Sequence, residues 1–201
     1  MDTVSVKKED IEQVAKYVSD GRVVAFPTET VFGLGVKFGS YQALDALYEL
    51  KHRDKGKAIS MMLSNPKDII KYAYVNENAK KVIDAFMPGM ITIILKKRSF
   101  IDDYFTASLD TIGIRIPDDP FVLALLDQTG PMLVTSANLS GEDSLVDDKA
   151  VMEVFKGKIP LIVEGQSISK RASTIIDLSK DKIEILRVGD ISEEQIAEVV
   201  K

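Results

Sequence analysis

Short apolar runs alternate with amphipathic stretches along most of this chain. That alternation restricts it to a sheet with helices packed on it. Ile11, Val14, Ala15 and Val18 mark one face of a helix, with Gly21 placed to stop it. Residues 22–26 read as a buried strand whose ladder ends at Pro27. Ala43, Leu44, Leu47 and Leu50 mark a second helix running toward Lys51. Residues 58–63 are strand-like, and Asn65-Pro66 offers an N-cap followed by proline at the first helical position. The pattern then predicts a helix over 76–86, strands over 90–96 and 111–116, a helix over 118–130 and a strand over 131–136. A helix over 147–156 follows, and then strands at 161–163, 174–178 and 183–187. Ser192-Glu-Glu-Gln195 is a capping box that opens a last helix. Because the later strands lie close together, the expected architecture is α/β, a twisted open mixed sheet with helices packed on it. The 201 residues are expected to form a single domain over 1–201.

The strand exits carry the chemistry. Thr28, Glu29 and Thr30 stand at the end of the 22–26 run, and Gly33 and Gly35 let the backbone turn or come close to a ligand. In open α/β sheets, ligands sit beyond the carboxyl ends of strands. Lys51-His-Arg53-Asp-Lys55-Gly-Lys57 places four cations in seven residues between a helix and a strand. Such a cluster can hold a polyphosphate, or it can be a solvated helix end favoured by the dipole. Arg115 lies inside an apolar run, so it must face either an internal carboxylate or an anionic ligand. Thr135, Ser136, Asn138 and Ser140 follow an apolar strand and suit either a turn or a sugar, phosphate or amino-acid ligand. Arg171-Ala-Ser173-Thr174 and Arg187-Val-Gly189 border two later strands.

The composition removes other chemistries. No cysteine is present, so disulfides, thiolate metal sites and cysteine nucleophiles are excluded. One histidine, His52, cannot build a multi-histidine metal site. No Walker loop or dinucleotide fingerprint occurs. A set of fixed donors around one anionic ligand remains, with catalysis by positioning and charge stabilisation. Phosphoryl or nucleotidyl chemistry suits it better than acyl hydrolysis. The N-terminus has no apolar signal core and no apolar run approaches a membrane span, so a cytoplasmic protein is expected. Net charge is −5, against bulk electrostatic grip on nucleic acid.

Taken in order, Phe26-Pro-Thr-Glu-Thr-Val-Phe-Gly-Leu-Gly35, Lys51-x-Arg53 with Lys57, Gly113-Ile-Arg115-Ile-Pro117, Ser136-Ala-Asn138-Leu-Ser-Gly141, Ser173-Thr-Ile-Ile-Asp177 and Ile185-Leu-Arg187-x-Gly189 resemble the YrdC-like family of threonylcarbamoyl-AMP synthases. The likeness runs from about Val6 to Gly189. It implies a YrdC/RibB-like fold around a concave, positively charged cavity. It also implies a nucleotidyltransferase that makes threonylcarbamoyl-AMP and pyrophosphate from L-threonine, bicarbonate or CO2, and ATP with Mg2+. The product would feed a downstream complex that modifies tRNA.

By the same resemblance, Lys51, Arg53 and Lys57 are the catalytic, phosphate-end residues. Thr111, Ser136, Asn138, Ser144 and Arg187 join Arg53 and Lys57 around ATP. Thr30, Arg115, Val134 and Ser173 hold the threonine, and no protein metal ligands are expected. Double-stranded RNA binding also comes with the resemblance, although the negative net charge argues against tight autonomous binding of tRNA. Asp54 stands where proline is common, Ala58-Ile59 where Pro-Leu is common, and Phe32 where many members have tyrosine. The alternative is a relative that keeps the pocket and binds nucleotide or RNA without synthase activity.

Overall fold

Ten strands form one sheet in the computed structural model, which describes residues 1–201. The elements are β1 (Val4–Val6), α1 (Ile11–Ser19), β2 (Val24–Phe26), β3 (Gly33–Lys37), α2 (Tyr41–Leu50), β4 (Ser60–Met62), α3 (Ile69–Tyr72), α4 (Glu77–Phe86) and β5 (Ile91–Lys96). They continue with β6 (Thr111–Arg115), α5 (Pro120–Thr129), β7 (Met132–Ser136), α6 (Asp148–Phe155), β8 (Leu161–Val163), β9 (Thr174–Asp177), β10 (Glu184–Arg187) and α7 (Glu193–Val200). The spatial order is β1-β8-β2-β3-β7-β4-β6-β5-β9-β10. β1/β8, β2/β8, β4/β6 and β5/β9 are parallel, and the remaining neighbours are antiparallel. The mixed sheet expected from the sequence is therefore observed.

Helix starts follow local chemistry. Ser40, Asn76, Asp119 and Asp147 each accept a backbone N–H from the first turn of α2, α4, α5 and α6. Ser192 and Gln195 close the capping box of α7.

Two strands were not expected. β1 is three residues long and pairs only with β8. β3 occupies the glycine-bearing segment read above as a turn or a ligand approach. Its glycines allow close sheet packing, and Gly33 also lines the cavity described below. A Cβ on Gly33 would lie 2.9 Å from Val134 Cγ1, and one on Gly35 would lie 2.7 Å from both Met132 Cε and Phe26 Cε1. The Phe26 ring lies across that bare stretch of strand.

Period-2 alternation sorts the strand side chains into two faces. On one face Ala25, Leu34, Met61, Ile91, Ile93, Ile112, Ile114 and Leu133 join α2, α4, α6 and α7 in the larger core. On the other, Val24, Phe26, Met62, Met132 and Val134 pack under α1 and α5. That second core takes nothing from β5, β6, β9 or β10. The same face of β5 and β6 carries Thr92 and Arg115, so half of the sheet stays open as a polar hollow.

Candidate active site

The loop 27–32 joins β2 to β3 and returns over the hollow. Thr28 stiffens it: its Oγ1 donates to Val31 O at 2.7 Å and accepts from Thr30 N at 3.2 Å. Glu29 turns inward and is 2% exposed. Its Oε1 accepts from Arg115 Nη2 at 2.7 Å and from Asp118 N at 2.9 Å. Arg115 Nη1 donates to Thr30 Oγ1 at 2.8 Å. The guanidinium at the end of β6 is thus held by two residues of one loop. Glu29 Oε2 and Arg115 Nε have no partner within the protein.

Arg115 opens onto a cavity of about 170 Å3, lined also by Thr30, Arg53, Ser60, Thr92, Val134, Ser136, Ser173 and Arg187. Three arginines and no carboxylate line it. Arg187 donates from Nε to Ser173 O at 2.9 Å and from Nη2 to Ser173 Oγ at 3.3 Å. Ser173 Oγ in turn lies 2.8 Å from Thr92 Oγ1. Burial first, and then the neighbouring Arg115 guanidinium, pull the pKa of Arg187 below its ordinary value. Cations that repel one another in a half-buried hollow favour an anionic ligand.

A second hollow of about 240 Å3 is lined by Lys51, His52, Arg53, Asp54, Lys57, Ser136, Asn138, Ser140 and Gly141. Arg53 and Ser136 belong to both hollows and join them into one bipartite site. The 51–57 loop closes on itself. Arg53 donates to Lys57 O at 3.1 Å and to Ala58 O at 3.0 Å, Tyr48 Oη donates to Lys57 O at 3.1 Å, and Asp54 Oδ1 accepts from Gly56 N at 2.9 Å. Asp54 therefore builds the turn through a side-chain acceptor, and Lys55 anchors it outward to Asp45. Lys57 is exposed at the rim.

Lys51 is 1% exposed. Burial, with a smaller push from Arg53, lowers its pKa to about 8. Three oxygen acceptors at 2.5, 2.6 and 3.1 Å call for all three ammonium N–H groups, so it stays charged at neutral pH.

The fold thus brings together Thr30, Lys51, Arg53, Lys57, Arg115, Val134, Ser136, Asn138, Ser173 and Arg187 of the expected set. Thr111 and Ser144 line neither hollow. Thr111 shares the Arg115 face of β6, but it starts the strand that Arg115 ends, about 13 Å away along an extended chain. Sequence reasoning overlooked Ser60 and Thr92 and gave Glu29 no role. Thr92 did leave a trace, as the one polar residue within Ile91-Thr-Ile-Ile-Leu95.

The Sua5_yciO_yrdC family model, described as telomere recombination, matches residues 16–189. The chain belongs to the Sua5/YciO/YrdC family. It is 37% identical to a Methanocaldococcus jannaschii protein provisionally named a threonylcarbamoyl-AMP synthase, over 95% of this chain and 91% of that one. It is 36% identical to the Bacillus subtilis threonylcarbamoyl-AMP synthase, over 99% of this chain but only 59% of the relative. Among solved structures, Pyrococcus abyssi Sua5 complexed with L-threonine superposes with a TM-score of 0.92 at 30% identity. That match covers 100% of this chain and 61% of the Sua5 chain. Escherichia coli YciO matches end to end, with a TM-score of 0.87, 25% identity, and 97% and 98% coverage. The family resemblance read from the motifs is therefore borne out, and so is the fold. No helix of this family member is long and apolar enough to cross a membrane.

Proposed function

We propose that this chain is a threonylcarbamoyl-AMP synthase, a nucleotidyltransferase acting on L-threonine, bicarbonate or CO2, and ATP. The observation that carries the reading is the bipartite hollow, with arginines in both halves and no carboxylate in the first. Arg115, held by Glu29 and Thr30, takes the threonine carboxylate through its free N–H groups. Ser173 and the Val134 wall complete that end. The triphosphate lies toward Arg53 and Lys57, with Ser136 at the junction, and Arg187 reaches the nucleotide from the first hollow.

The threonine amine attacks the carbon of CO2, a C–N bond forms, and a proton leaves to solvent. A carbamate oxygen then attacks the α-phosphorus, the bond from that phosphorus to the bridging oxygen breaks, and pyrophosphate departs. Arg53 and Lys57 stabilise the charge that grows on the leaving group. No group of three or more His, Cys, Asp or Glu is placed to hold a metal. Mg2+ enters with the ATP substrate, carried by its phosphates. The product passes to a complex that modifies tRNA in the cytoplasm, and the net charge of −5 favours weak direct contact with RNA.

The test is pyrophosphate release by purified protein with MgATP and bicarbonate, with L-threonine present or absent and L-serine as a control. Threonine- and bicarbonate-dependent release, with an adenylate of the expected mass, supports the reading. Nucleotide binding without threonine-dependent turnover overturns it in favour of a nucleotide- or RNA-binding relative. Arg115→Ala is expected to raise the KM for threonine more than the KM for ATP.

A further inference from the structure

We propose that Lys51 is a positioning residue: it braces the 136–142 loop, and that loop meets the nucleotide through backbone amides. The inference rests on the nucleotide-binding reading above. It assigns the lysine a different task from the phosphate contact that the motif alone suggests.

The argument is a count of donors. An ammonium has three N–H groups. Those of Lys51 reach Ser136 O at 2.5 Å, Asn138 O at 2.6 Å and Asn138 Oδ1 at 3.1 Å. None is left for a phosphate. Asn138 is equally committed. Its Oδ1 also accepts from Ser136 Oγ at 2.6 Å, and its Nδ2 donates to Leu139 O at 2.8 Å and Glu142 O at 2.9 Å. The loop also answers the lysine backbone, because Ser140 N donates to Lys51 O at 3.0 Å. Lys51, Ser136 and Asn138 therefore form one closed network.

The backbone shows the opposite pattern. The N–H groups of Asn138, Leu139 and Gly141 have no acceptor in the protein. In a planar trans peptide the carbonyl and the N–H point in opposite directions. Asn138 O points inward at the buried ammonium, so the Leu139 N–H of the same peptide points outward. Gly141, at φ +93°, turns the chain where a side chain would be strained. Asn138 and Gly141 both line the second hollow beside Arg53 and Lys57. Preset amides of this kind cradle anions without side-chain reorganisation. Removing the lysine N–H donors would leave two inward carbonyls unpaired and release the loop.

The experiment uses the intact chain and a non-hydrolysable ATP analogue with Mg2+. Nitrogen-15 NMR of the wild-type protein reads the Lys51 Nζ signal and the loop amides. The expected result is a protected Lys51 ammonium that moves little on adding the analogue, with clear shifts at Asn138, Leu139 and Gly141. A Nζ shift larger than those of the three amides overturns the proposal.

Lys51→Met gives the second readout. In the nucleotide-free variant, hydrogen exchange at Ala137, Ser140 and Glu142 is expected to quicken at least tenfold, with the central strands unchanged. The KM for ATP should rise at least tenfold while that for threonine stays within twofold. Unchanged exchange with lost analogue binding would make Lys51 a direct phosphate ligand. If the variant does not fold, the wild-type spectra decide alone. Failure of threonine-dependent pyrophosphate release would sink the synthase reading while leaving the brace to be judged from nucleotide-free exchange.

Discussion

Replacing Glu29 by glutamine tests how the threonine end of the site is held. The Glu29 and Arg115 side chains are 3% and 7% exposed, so the pair lies out of water. Removing one partner of a buried pair typically costs about 3–5 kcal/mol, because the other charge stays behind. Glutamine keeps an oxygen that can accept from both Arg115 Nη2 and Asp118 N, which puts the cost at the lower end, about 3 kcal/mol. For a chain of this size each kcal/mol moves Tm by about 2–4 °C, so the drop should be about 6–12 °C. Differential scanning calorimetry of Glu29→Gln, Arg115→Met and the double variant closes the cycle. The double variant should lose less than the two singles added together, because it leaves neither charge stranded. A drop below about 2 °C, or strict additivity, would refute the claim that this pair holds the 27–32 loop over the hollow.

Arg53→Ala and Lys57→Ala should each weaken ATP binding at least about tenfold, or about 1.4 kcal/mol, as read by calorimetric titration. Lys57→Ala should leave Tm nearly unchanged, since its side chain is at the rim. Gly35→Ala should lower stability by about 1–3 kcal/mol in urea unfolding, because the new methyl meets Met132 and Phe26 at 2.7 Å. Lys51 titrates near 8 in the folded chain against 10.5 in its ordinary state. Between those values the unfolded chain binds more protons, so unfolding free energy should rise with pH there, relative to Lys51→Met. A flat difference between pH 7.5 and 9.5 would show that burial does not shift this lysine.

Much of the site could be read from the linear chain because its residues sit at strand ends, where polar side chains interrupt apolar runs. Arg115 within Gly113-Ile-Arg115-Ile-Pro117 already demanded an anion, and the sequence left open whether that was a carboxylate or a ligand. The fold answers with Glu29 on one side and a cavity on the other. Thr111 and Ser144 show the limit. Both came from the resemblance and lie outside the motifs that carry it, Thr111 stands at the far end of the strand from Arg115, and neither residue lines the two hollows.

The sequence by itself determined the mixed α/β class, the helix caps and the family, since each depends on local periodicity or on short motifs in order. Tertiary structure alone decided the rest. The glycines of β3 became packing positions only once Phe26, Met132 and Val134 crossed them. Lys51 became buried only when β7 and the loop after it placed two carbonyls and an amide oxygen around it, 85 and 87 residues along the chain. Which atoms of a polar residue remain free is set by long-range partners, and no local pattern records those.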